Sequence, residues 1–315
     1  MNRKIIPTVC ILLGCISPST FATMAVHDPL LQVAPERTWA FSVRGELALL
    51  EGEAIEQVFI GDYKLSELTW DMTGLAIGGV AVSALYGPRL GFNAGVWTAL
   101  NRGDGEMTDY DWMQPGRGWS EYSRSEVEID ESLILDINAT YLFHQGSRST
   151  WRWVVGFKYE HWAWIDSAQE YIYSSPTGFR DIRGHFGGVR AIDYDQTFRI
   201  PYFGLNLDGQ LGNEGRLAWS AYLLYSPFVR AVANDFHILR DTKFRDSFSN
   251  GNFYAFGLSG TYALNNTWSL AAHLRGQSIP EQDATGYIRD EARTPYDAGI
   301  GNQYGYFALS LSAQF

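Results

Sequence analysis

The clearest periodicity is at the carboxyl end, where Gly305, Phe307, Leu309, Leu311, Ala313 and Phe315 fall on one face of an extended strand. Tyr306, Ala308, Ser310, Ser312 and Gln314 fall on the other face. One face suits lipid and the other a wet interior. The same period of two runs through Trp151, Trp153, Val155, Phe157 and Tyr159 against Arg152, Lys158 and Glu160. It returns at Trp268, Leu270, Ala272 and Leu274 against Ser269, His273 and Arg275. A soluble sandwich also alternates, but its apolar face would be aliphatic rather than flanked by Trp and Tyr at strand ends.

Turn signals divide the chain into ten strand candidates, at 39–50, 65–83, 90–101, 131–143, 150–164, 196–210, 216–230, 252–264, 268–280 and 303–315. Their connections alternate in length. Tight turns fall at Tyr86–Leu90, Gln145–Ser149, Gly212–Gly215 and Asn265–Thr267, whereas 51–64, 102–130, 165–195, 231–251 and 281–302 are long and polar. The pattern predicts an all-β fold: a ten-stranded antiparallel transmembrane β-barrel with short periplasmic turns and long extracellular loops, both chain ends on the periplasmic side. All five long connections then meet at one outer mouth.

Composition narrows the class. Aromatic residues make up 15% of the chain, and after the first residues no uncharged apolar run of about 18 positions appears, which argues against membrane helices. Arg3 and Lys4 precede an apolar stretch from Ile5 to Ile16 and a small-residue end at Ala22, so residues 1–22 read as an export signal and 23–315 as one barrel domain. The competing reading is a lipoprotein signal, from Leu12-Leu13-Gly14-Cys15. Both cysteines lie in this segment, which leaves the mature chain neither a disulfide framework nor a thiol nucleophile. Losing Arg3 and Lys4 takes the formal charge from −11 to −13, a balance that disfavours nucleic acid and favours cationic partners such as basic peptides.

Topology makes polar clusters in 102–130 and 231–251 converge. Asp109 and Asp111 are spaced i, i+2, so an extended backbone points both carboxylates to one side; Asp235 and His237 have the same spacing. Paired acids facing a His–Asp couple suit water activation: His237 takes a proton from water, Asp235 orients the ring, and the Asp109/Asp111 pair holds the water from the other side. Two adjacent carboxylates resist double ionisation, so one can carry a proton for the carbonyl oxygen of a scissile bond. The competing view is that loop aspartates are solvated turn residues. No metal site is expected, because the histidines are scattered and no HExxH spacing occurs. A non-catalytic barrel acting as adhesin or receptor is the principal alternative. A phospholipase would need a serine–histidine pair on the lipid-facing wall, and none is found.

At Asp109-Tyr110-Asp111-Trp112-Met113, Asn234-Asp235-Phe236-His237, the block from Tyr171 to Asp181, Arg190-Ala191-Ile192 and Pro201-Tyr202 the chain resembles the omptins, outer-membrane endopeptidases of Gram-negative bacteria. The resemblance implies that Asp109 and Asp111 form an aspartate couple, that Asp235 and His237 form a His–Asp dyad, and that water between them is the nucleophile. It matches Ser123 to a serine once suspected as the nucleophile, to which the sequence assigns only a supporting role because no second base lies close to it, and it makes Glu56 an acid of the primary substrate pocket. It also implies cleavage at or beside basic residues of proteins and cationic peptides, at the extracellular side of the outer membrane. The family's second pocket acid falls on Ala233, which leaves the basic preference either relaxed or served by another acid such as Asp241. Family members bind lipopolysaccharide through wall arginines and are active only with it. Those arginines align with His161 and Thr197, and Lys158 or Arg199 are the cations that could substitute. No cofactor is implied beyond lipopolysaccharide as an activator.

Overall fold

The computed structural model describes residues 38–146, 149–212, 215–288 and 295–315; the export-signal reading falls outside them. Twelve strand segments are present: β1 (Trp39–Ile60), β2 (Tyr63–Tyr86), β3 (Leu90–Ala99), β4 (Gly105–Asp111), β5 (Glu121–Gln145), β6 (Ser149–Tyr173), β7 (Ile182–Val189), β8 (Ile192–Leu211), β9 (Leu217–His237), β10 (Thr242–Ala263), β11 (Trp268–Ile288) and β12 (Tyr296–Gln314). All neighbours pair antiparallel, and β1 meets β12, so the sheet closes on itself. β3 and β4 both lie between β2 and β5, one above the other, and β7 and β8 share the place beside β6. The twelve segments therefore occupy ten positions around the ring, as the turn spacing predicts.

The wall is inverted relative to a soluble protein. On β1, Leu49 is 65% exposed while Glu46, on the alternate face, is 4% exposed. Outward Phe41, Val43 and Leu47 continue this apolar belt, and its counterparts on β12 are Phe307, Leu309 and Leu311. With the strands laddered around a closed ring and apolar side chains outside, the chain is built to cross a bilayer.

The lumen at belt level is filled, not open. Arg275 donates to Glu46 at 3.0 Å and to the Tyr306 hydroxyl at 3.1 Å, and Arg44 lies 3.5 Å from the same glutamate. Nearby, Gln277 and Tyr304 donate to Glu160 at 3.0 and 2.8 Å. Above these ion pairs lies an aromatic layer in which Trp70 stacks on Tyr194 with ring centroids 4.9 Å apart and Trp164 packs 5.7 Å from Tyr194.

The main departure from expectation concerns the outer connections. Most of 51–64, 102–130 and 231–251 is strand rather than loop, because β1, β4, β5, β9 and β10 carry the barrel wall on beyond the apolar belt. There, water on the outside replaces lipid, both faces can be polar, and the period of two disappears from the sequence without the hydrogen-bond ladder ending.

Candidate active site

The interruption between β3 and β4 places the first acid pair. Leu100 to Asp104 leave the ladder and re-enter it, with Asn101 accepting from Ala76 N at 2.7 Å and donating to Gly74 O at 3.0 Å. Gly103 has φ +69°, and a Cβ there would lie 2.7 Å from Thr73 O, so this close re-entry requires glycine. β4 then runs beside β2 with Leu68 opposite Asp109 and Ser66 opposite Asp111, which points both carboxylates inward as their i, i+2 spacing predicts. Trp112 N donating to Leu65 O at 2.8 Å, and Tyr63 donating to Trp112 O at 2.7 Å, tie down its end.

On the facing wall Asp235 and His237 close β9. Nε2 of His237 is 2.6 Å from Oδ2 of the buried Asp235, and the ring packs edge-on to Phe244 at a centroid distance of 5.2 Å. The Arg240 guanidinium, at the end of a 3-10 turn over Ile238–Arg240, contacts Nδ1 of the same ring. A guanidinium only donates, so Nδ1 is the unprotonated nitrogen and Nε2–H donates to Asp235. The Asp–His order fixes the tautomer and leaves a base at Nδ1.

The two pairs share one cleft. Burial, then Asp111, then Asp235 raise the pKa of Asp109 well above the usual carboxylate range. Burial also raises that of Asp111, while Ser66, Arg240 and His237 oppose the rise. The Ser66 hydroxyl donates to Oδ1 of Asp109 at 3.3 Å and holds the couple from β2. Tyr173, at the end of β6, is pushed up to about 12 by burial and then by the charges of Asp109 and Asp111. Ser66 and Tyr173 escaped sequence reasoning, because only strand register and burial bring them here.

The remaining expected residues divide. Ser123 lies opposite Asp109 on β5, at the flank of the couple. Glu56 faces inward on β1, opposite Leu68 and so in the same cross-strand row as Asp109. Arg199 is exposed on the outer wall, and His161 bonds Thr197 there at 3.0 Å. Lys158 must be corrected: it is 0% exposed inside the lumen, where its ammonium contacts Gln277 and Glu160, and cannot meet a lipid headgroup. Strand alternation decides this, since Lys158 shares a face with Arg152 and Glu160. Asp241 is corrected too as a pocket acid: it is exposed at the turn after Arg240, in the left-handed region with φ 50°. On β10 of that hairpin the buried acid is Asp246, opposite Ala233.

Fold and site together define a class: a transmembrane barrel whose outer rim carries an acid couple facing a His–Asp pair, side chains of the kind that can activate water. The family model of the omptin family matches residues 38–315. The chain therefore belongs to the omptin family. It is similar to outer membrane protease OmpP of Escherichia coli (strain K12), 29% identical over 274 residues that cover 81% of this chain and 84% of that protein. The plasminogen activator of Yersinia pestis is 28% identical over 246 residues, 76% of each chain. The crystal structure of outer membrane protease OmpT from Escherichia coli superimposes with a TM-score of 0.80 at 24% identity, covering 88% of this chain and 97% of that one, which establishes the shared fold.

Proposed function

We propose that this chain is an outer-membrane endopeptidase that hydrolyses peptide bonds at or next to basic residues of proteins and cationic peptides, with water as the nucleophile. The observation that carries the reading is the His237–Asp235 hydrogen bond facing the Asp109/Asp111 couple across one cleft. A water in place of the Arg240 guanidinium would lie at the basic Nδ1, which takes its proton while Asp235 stabilises the imidazolium that forms. Asp109, the member of the couple whose proton burial and Asp111 hold the more firmly, donates to the carbonyl oxygen, and Asp111 orients the water. The tetrahedral intermediate then collapses: His237 gives its proton to the leaving amine as the C–N bond breaks, and the hydroxyl that Asp109 protonated returns its proton to Asp109. The buried acids at the mouth favour cationic substrates electrostatically.

Lipopolysaccharide enters this proposal as an activator. Arg199 lies opposite Arg230 on the adjacent strand, both exposed on the outer wall, and two neighbouring guanidiniums suit a phosphate. With Lys158 in the lumen, this pair replaces it as the cationic element.

The test is cleavage of a quenched fluorescent peptide library centred on Arg-Arg, Arg-Lys and Ala-Arg bonds, by refolded protein with and without lipopolysaccharide, comparing wild type with His237→Ala and Asp109→Ala. Cutting beside basic residues that is lost in both variants supports the proposal. A folded wild type that cuts nothing under either lipid condition, or variants that keep full activity, would overturn it. Arg199→Ser should weaken the lipid dependence without abolishing cleavage at saturating lipid.

A further inference from the structure

Beside the catalytic pairs lies a second pair of acids, Glu56 in the cross-strand row of Asp109 and Asp246 opposite Ala233. Glu56 on β1 is 3% exposed and Asp246 on β10 is 1% exposed. The charges acting most strongly on Glu56 are all negative, from Asp235, Asp246 and Asp109. Among the described residues no other side chain or backbone group donates to Oε2 of Glu56 or Oδ2 of Asp246, so the hydrogen bond open to this pair is through a proton shared between the two acids. Buried carboxylates without a cation are rare, because the cost of desolvation is normally offset by a charged partner.

The pair is held in place by built features. Tyr296 donates to Oδ1 of Asp246 at 2.5 Å. Gly286, the β11 neighbour of Asp246, leaves room for this bond: a Cβ there would lie 2.2 Å from the Tyr296 ring and 2.4 Å from Oδ1 of Asp246. On the other side of Asp246, β9 presents Ala233, whose methyl cannot bring charge to the cleft but makes space for a longer neighbour. Three strands thus fix one oxygen of Asp246 and leave the second turned to Glu56 without a donor.

We infer that Asp246 is a specificity-determining residue of this cleft: with Glu56 it forms a floor that takes a guanidinium or ammonium side chain of the substrate, supplying from β10 the carboxylate that β9 lacks at Ala233. This inference rests on the proposed peptidase function. A cationic side chain entering from the catalytic level displaces the shared proton and pairs with both acids, a planar guanidinium doing so by two parallel hydrogen bonds. Tyr296 is a positioning residue, since it acts through Asp246.

The experiment compares kcat/KM for matched peptides carrying arginine or its neutral isostere citrulline beside the scissile bond, using wild type, Asp246→Asn, Tyr296→Phe, and the double variant Ala233→Asp with Asp246→Ser. Loss of one charged contact should cut the arginine-over-citrulline ratio about tenfold to a hundredfold in Asp246→Asn, with a smaller fall in Tyr296→Phe. The double variant, which moves the acid one strand over, should restore the ratio. The ratio does not depend on the fraction of folded enzyme, and Tyr296→Phe keeps the inference testable if Asp246→Asn does not refold. A wild type that prefers arginine, with the preference unchanged in Asp246→Asn or, where that variant does not refold, in Tyr296→Phe, overturns this inference and leaves the peptidase standing. A wild type inert on both peptides overturns the peptidase proposal, and this inference with it.

Discussion

Replacing Asp235 by Asn separates catalysis from stability in this cleft. The substitution keeps the shape of a side chain that is 4% exposed and lies 2.6 Å from Nε2 of His237. It removes the charge that stabilises the imidazolium, and its amide can donate to Nε2 and turn the ring to the wrong tautomer. If His237 is the general base, kcat should fall about 10²–10⁴-fold, which corresponds to about 3–5 kcal/mol of barrier. KM should change little, because the Glu56 and Asp246 floor is intact. The fold should respond the other way. Asp235 is among the charges that push up both Glu56 and Asp109, so neutralising it relieves repulsion among buried acids and should leave resistance to unfolding equal or greater. The assay is kcat and KM on an arginine peptide in detergent with lipopolysaccharide, beside the guanidinium midpoint of the same preparations. A kcat within about threefold of wild type, or a midpoint that drops together with activity, would refute the reasoning.

Three further outcomes follow from the same geometry. Glu46→Ala takes from the buried Arg275 guanidinium its carboxylate partner in the lumen and should cost about 3–5 kcal/mol, read as earlier loss of the folded band on heating, with peptide selectivity unchanged. Burial raises Asp246 from its ordinary 3.8 to about 6. The stability it contributes is therefore full below the ordinary value and lost as pH climbs through about 6. Between those limits wild type should lose about 3 kcal/mol relative to Asp246→Asn, measured by chemical unfolding at each pH. Ser66→Ala removes a hydroxyl that lowers the pKa of both Asp109 and Asp111, so the acid limb of the pH–activity profile should move to higher pH; an unmoved limb would remove Ser66 from the couple.

What the sequence makes legible depends on what lies outside the wall. Where lipid covers one face, as at Phe307, Leu309 and Leu311, alternation is strict and the ring positions can be counted from it. Above the belt the signal vanishes, so β1 continuing to Ile60 and β9 continuing to His237 look like loops. The catalytic candidates remained visible because each pair sits at i, i+2 on a single strand, where face is set by spacing alone. Ser66 and Asp246 were not visible, since their places depend on which residue lies opposite on the next strand, Asp111 and Ala233 respectively. Lys158 shows the two kinds of inference in conflict: resemblance offers it to lipid, period assigns it to the lumen with Arg152 and Glu160, and the ladder follows the period.

The layering of the lumen explains how acids can crowd the rim of a stable barrel. Trp70 and Tyr194 form a dry floor between the catalytic level and the ion pairs below, and Tyr194 feels the charge of Glu56 directly. A dry floor strengthens the desolvation that is the largest cause of the raised pKa of Asp109, Asp111 and Glu56. Trp70→Ala should therefore have two separable effects. It opens a cavity that costs about 3–5 kcal/mol, and it admits water beneath the acids, which lets their pKa values relax downward. The acid limb of the pH–activity profile should then move to lower pH, opposite to the displacement expected for Ser66→Ala. The pair of variants distinguishes the two causes within one assay: opposite displacements assign the tuning to burial opposed by a hydroxyl donor, whereas displacement of both limbs in the same direction would mean that the aromatic floor does not act on the acids through desolvation.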